Sequence, residues 1–301
     1  MIDLARGDWS LALRPELGAA VTRLTWQGHD ILRPTPDNAT HPLETGCFPL
    51  IPYANRIDRG AFGFAGRDIA LPPTPGFEPH ALHGVGWLRA WSVRRAGADF
   101  VDLALAAEAT ADWPWAWTAS HGLRLGSEEL EMTLSITNED RAPMPAGLGL
   151  HPYFAIAPET VLTAPAVQVW LNDANEIPER LAPALSVTDW TDGAVVSSAP
   201  FVDNAYADWT GSAQLSHARH VVAVSASANA RWLQVYAPGA GDFVCLEPVT
   251  HRPNSHNAHR DEDTGLVKLS PGQSLSMSMR IAATEGLASP SPVLTQSLPI
   301  I

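Results

Sequence analysis

Cysteine is scarce in this chain, with Cys47 and Cys245 the only two in 301 residues. Two are too few for a disulfide framework or a thiolate metal site, and the expected state is a buried, unpaired thiol in a reducing cytoplasm. Basic residues are also in deficit, 19 against 32 acidic, for a formal net charge of −13. A phosphate backbone repels such a chain, and no basic cluster reverses the sign locally, which argues against nucleic acid as a partner. No stretch reaches the roughly 18 uninterrupted apolar residues of a membrane helix, so no membrane partner is expected. The opening MIDLARGDWSLALRPELG has no apolar core behind a basic end, so no signal peptide is expected either. Long helical patterns are missing as well, interrupted by 26 prolines and 22 glycines spread along the chain.

What remains is a soluble globular composition, 46% hydrophobic and 17% charged, with frequent period-two alternation. In LEMTLSIT, Leu130, Met132, Leu134 and Ile136 point one way and Glu131, Thr133, Ser135 and Thr137 the other. In SLSMSMRI, Leu275, Met277, Met279 and Ile281 alternate with Ser276, Ser278 and Arg280; VDLALAAE and RWLQVYAP alternate more weakly. Turn formers such as GSEE, NEDRAP and SPGQ bound these runs. The pattern predicts an all-β protein of packed antiparallel sheets. One domain is expected over residues 1–285, followed by a Pro/Ser-rich tail over 286–301 that lies on the surface or is partly disordered.

Four stretches place polar residues in turn-like or strand-end settings. Arg56 precedes a hairpin pattern in PYANRIDRGAFGFAGRDIALP, and His83 sits beside glycine in ALHGVGWLRAW. His151 interrupts the apolar GLGLHPYF, and Glu247 ends the apolar run FVCLEPV. A fifth stretch, FVDNAYADW, holds Asp203. Each has a bland reading: a satisfied core histidine, an Asx-type turn at Asp203, a solvated Arg56–Asp58 pair. Glu247 is the exception, because a carboxylate directly after Phe243, Val244, Cys245 and Leu246 is at least partly buried and requires a compensating partner.

These stretches, in this order and approximate spacing, resemble the aldose 1-epimerases (galactose mutarotase-like proteins). HPYF and the upstream His-Gly pair are the most specific elements, and the resemblance covers roughly residues 8–285. It implies a large antiparallel β-supersandwich with a monosaccharide in an open cleft on one sheet, and no cofactor. It also implies that Glu247 is the general base, His151 the general acid and His83 a second histidine near the ring oxygen. Asp203 and Arg56 would hold sugar hydroxyls. A hexose-6-phosphate branch of that family carries an arginine soon after the His-Gly pair; here Gly86 and Trp87 follow, with Arg89 further on.

Anomer exchange needs a base at the anomeric hydroxyl and an acid at the ring oxygen, and a carboxylate–imidazole pair suits both near neutral pH. The expectation is an ionised Glu247 and a protonated His151, each favouring the other's charge. Pro152 and the Tyr153–Phe154 pair are expected to hold His151, and Trp87 to line the cleft behind His83. A hexose-6-phosphate mutarotase stays open as an alternative within that chemistry, and two readings stay open outside it. One is a non-catalytic sugar-binding β-sandwich. The other is a metal enzyme built on His251, His256 and His259 with His217 and His220, although HRPNSHNAH reads as a loop of solvated histidines. Either a monomer or a homodimer fits.

Overall fold

The computed structural model describes residues 1–239, 241–259 and 262–286. The expected tail, Gly286 apart, lies outside the described residues. Strands dominate, and the helical elements among the described residues are three-residue 3₁₀ turns. All named strand ladders are antiparallel, as the alternation predicts.

The cleanest alternation builds the nine-stranded sheet. In strand Glu129–Asn138, Leu130, Met132, Leu134 and Ile136 are wholly buried. Its neighbour Ser274–Glu285 sets Met279 opposite Met132 and Met277 opposite Leu134. Each such side chain contributes about 1.5–3 kcal/mol by leaving water. Trp113, Trp115 and Trp117 belong to the same core and are fully buried. Both cysteines are free and buried.

The eight-stranded sheet matters most for function. It runs in the order Pro178–Pro183, Gln168–Asn172, Val202–Ala207, Trp232–Ala237, Phe243–Val249, Gly149–Leu150, Pro49–Leu50, with Tyr153–Ala155 also paired to Phe243–Val249. Here alternation is blurred because both faces are covered. Leu233, Val235 and Ala237 enter the main core. Trp232 on the opposite face joins a second apolar cluster with Phe48, Trp87, Tyr153 and Cys245. That second face carries the polar residues described next.

Candidate active site

Strand register brings distant residues onto adjacent rungs of one sheet face. Asp203 stands opposite Tyr236, Tyr236 opposite Cys245, and Cys245 opposite Tyr153. On the next rung Gln234 faces Glu247. Gly149 pairs with Val249 and Tyr153 with Cys245, so His151 occupies the position across from Glu247. The ladder breaks there because neither Pro152 nor Pro248, which the same register sets across from Leu150, has an N–H to give. The backbone N–H of His151 instead donates to the Phe48 carbonyl at 3.0 Å. The imidazole thereby meets the carboxylate, with Nε2 of His151 3.3 Å from Oε1 of Glu247.

Both side chains are almost wholly buried, His151 at 6% and Glu247 at 2% exposure. His151 packs against Phe48 and Tyr153, ring centroids 4.7 Å away in each case and planes within 25°. Phe154 takes no part: alternation turns it into the main core, so Phe48 replaces it as the second aromatic support. The Arg33 guanidinium caps the Tyr153 ring at 3.9 Å and donates to the Leu43 and Thr45 carbonyls.

His83 is held by backbone geometry. Its own φ is 59° and that of Gly84 is 68°, both in the left-handed region that glycine tolerates best. A Cβ on Gly84 would lie 2.3 Å from the Ile51 carbonyl oxygen, so the position excludes other residues. The Asn55 N–H donates to Nδ1 of His83 at 3.0 Å. The neutral ring therefore carries its proton on Nε2.

Arg56, His83, His151, Asp203 and Glu247 all line a single cleft of about 510 Å³. Asp203 lies within a strand rather than in an Asx turn. It accepts from Nε2 of Gln234 at 2.6 Å, and Arg56 approaches its other oxygen at 3.6 Å. Arg56 also pairs with Glu176 from the far side of the cleft, whereas Asp58 turns away to His80. Trp87 is a correction: it is fully buried and does not line the cleft. Its indole N–H donates to the Gly84 carbonyl, and its ring stacks on Phe48 at 5.3 Å and meets His83 edge-on. With polar and apolar parts both satisfied inside, it supports the site from behind. Arg89 is absent from the residues lining the cleft.

Charge at the centre differs from expectation. Burial pushes the Glu247 carboxyl well above its ordinary range, reinforced by Asp203 and opposed by Arg56. Burial lowers His151 to about 3 and His83 well below the usual imidazole value. Nδ1 of His151 and Oε2 of Glu247 are buried without hydrogen-bond partners. An ion pair lacking those bonds does not recover its desolvation cost, so the pair rests as neutral imidazole and carboxylic acid, sharing one proton. Such a pair titrates as a unit.

The histidine-rich loop does not assemble a metal centre among the described residues. His251 is buried, not solvated; its Nε2 accepts from the Ala54 N–H and its Nδ1 lies 2.8 Å from the Arg252 carbonyl. His256 packs on Tyr53 and Phe62, and His217 and His220 stack on one another. Converging donor atoms occur instead at His151, Cys245 and Glu247, all within 4.8 Å of one another. Sequence reasoning missed Arg33, Phe48, Glu176 and Gln234 as parts of the site.

Comparison with known proteins agrees with this geometry. A family model described as aldose 1-epimerase matches residues 1–282. The uncharacterized protein YphB of Escherichia coli K12 is 32% identical over 253 residues, 79% of this chain and 84% of that one. YihR of the same organism, also uncharacterized, is 25% identical over 86% and 87% of the two chains. Among solved structures, a candidate aldose 1-epimerase from Escherichia coli K12 superposes with a TM-score of 0.86 at 28% identity, covering 94% and 98% of the chains. A galactose mutarotase-like protein from Clostridium acetobutylicum shares the fold, with a TM-score of 0.84 at 21% identity and 94% coverage of both chains.

Proposed function

The chain belongs to the aldose 1-epimerase family, and we propose that it is a mutarotase, interconverting the α and β anomers of a neutral aldohexose without a cofactor. The observation that carries this reading is the His151–Glu247 contact of 3.3 Å at the base of a cleft of about 510 Å³, a volume in the range of small-molecule sites. The two partnerless atoms beside it, Nδ1 of His151 and Oε2 of Glu247, fit groups that complete their hydrogen bonds when sugar hydroxyls arrive.

One shared proton is what the reaction needs. As sugar binds, transfer of that proton from Glu247 to His151 creates a base at the anomeric hydroxyl and an acid at the ring oxygen. Glu247 then takes the hydroxyl proton and His151 protonates the ring oxygen. The C1–O5 bond breaks as the C1–O1 bond becomes a carbonyl. The pair is now back in its neutral form, which burial favours. Rotation about C1–C2 and the reverse proton movements close the ring on the opposite face. Arg56, Asp203 and the Nε2–H of His83 bind hydroxyls, and Gln234 orients Asp203.

Charge inventory favours a neutral sugar over a phosphorylated one. The Arg56 cation is engaged by two carboxylates, and Arg33 donates to two carbonyls. Polarimetry or exchange NMR on freshly dissolved α-glucose and α-galactose tests the reading. Wild-type protein accelerates equilibration, and His151→Asn is slower by about 10²–10⁴-fold. Sugar binding without acceleration would replace this reading with a lectin-like one.

A further inference from the structure

Cys245 lies two residues before Glu247 on strand Phe243–Val249, so both side chains project from the same sheet face. Its donor atom and those of His151 and Glu247 all lie within 4.8 Å of one another. Cys245 is wholly buried, and neither the proposed reaction nor a disulfide uses it. We propose that His151, Cys245 and Glu247 form a capture site for a zinc-like, thiophilic divalent cation, which binds in competition with sugar and stops turnover.

The donor set selects the ion. A thiolate and an imidazole favour a borderline-soft cation over magnesium or calcium, which prefer oxygen alone. Three protein donors leave a fourth tetrahedral position for water from the cleft. Metal–ligand bonds of about 2.0–2.3 Å place donor atoms about 3.5 Å apart. His151 and Glu247, at 3.3 Å, already meet that spacing, so Cys245 needs only a small side-chain adjustment.

Charge balance supplies the driving force. Without metal, burial keeps the Cys245 thiol protonated. A divalent cation with one thiolate and one carboxylate sums to zero, which removes the penalty for ionising either acid in a buried place. Binding releases two protons, one from the thiol and one from the His151–Glu247 pair, and moves no electrons. Loss of the shared proton disables the acid–base pair. Inhibition thus rests on the mutarotase reading, whereas binding does not.

Cobalt(II) titration of metal-free protein, followed by thiolate-to-cobalt charge-transfer absorption, tests the site directly. Wild type and Cys47→Ala give the band at one equivalent, and zinc displaces it. Removing an outer-shell partner costs about 10–100-fold in metal affinity, so losing a ligand in Cys245→Ala or Cys245→Ser weakens binding at least tenfold and abolishes the band. Zinc inhibits anomer exchange, excess sugar raises the concentration required, and a chelator restores activity. Metal-free Cys245→Ala turns over like wild type. Absence of the band in wild type, or its persistence in Cys245→Ala, overturns the site. A band in protein that never accelerates mutarotation sinks the proposed function alone.

Discussion

Replacing Glu247 by glutamine should make the protein inactive and more stable at once. In the fold, burial holds the carboxyl protonated; in the unfolded chain it ionises with its ordinary value of 4.5. A group whose folded pKa is raised costs stability wherever the pH lies above its unfolded pKa, because the unfolded state then gains by releasing the proton. That gain grows by about 1.4 kcal/mol for each pH unit above 4.5 over which the folded carboxyl keeps its proton. Glutamine has nearly the same shape and nothing to ionise, so the penalty disappears. For a chain of this size the midpoint of thermal unfolding should rise by about 2 °C for each kcal/mol so removed.

The pH dependence makes this test specific. The advantage of Glu247→Gln over wild type should shrink as the pH falls toward 4.5, where the unfolded glutamate also holds its proton. Calorimetry of both proteins across that range, beside polarimetric turnover, reads both halves. Activity should fall about 10²–10⁴-fold. A variant that melts several degrees below wild type, with no pH trend, would mean that Glu247 is ionised and firmly paired in the fold, and the neutral-pair argument would fail.

Acid should unfold this protein early. His121 and His251 are lowered to about 4 and His151 to about 3 by burial, so the unfolded chain takes up protons first as the pH drops below 6.5. By pH 5 each of His121 and His251 alone removes about 2 kcal/mol, the buried His83 and His256 act in the same direction, and Glu247 offsets part of the loss. Circular dichroism against pH checks it, and stability unchanged down to pH 5 would contradict neutral buried histidines. Glu176→Gln should free one face of Arg56 and raise kcat/KM for hexose 6-phosphates about tenfold while altering that for neutral hexoses less. Equal change for both substrate classes would remove Glu176 from selectivity.

Much of the fold was legible because alternation is a local property. Leu130, Met132, Leu134 and Ile136 announce a half-buried strand without reference to any partner, and they are buried as expected. Strand Trp232–Ala237 was harder to read because apolar layers cover both its faces, which erases the contrast on which periodicity depends. The same period could have excluded Phe154 as a support for His151, since the residue next to Tyr153 in a strand must face the other way. Phe48, Arg33, Gln234 and Glu176 had no local signal, because they reach the site through pairings and loops far from it in sequence.

Glu247 is the instructive middle case. Its place at the end of an apolar run made burial legible, and the need for a compensating partner followed from desolvation alone. The form of that compensation did not follow. A protonated histidine beside an ionised carboxylate was the natural expectation, yet charge in so dry a place must be hydrogen-bonded on every side, and one atom of each partner is bare. Moving one proton across 3.3 Å turns the pair from incompletely hydrogen-bonded ions into two neutral groups with nothing added or lost. The strand register that sets His151 across from Glu247 therefore provides both the contact on which the proposed chemistry rests and the route by which burial is tolerated. Pro152 and Pro248, each without an N–H, interrupt the ladder on either side of that contact and leave it facing the cleft.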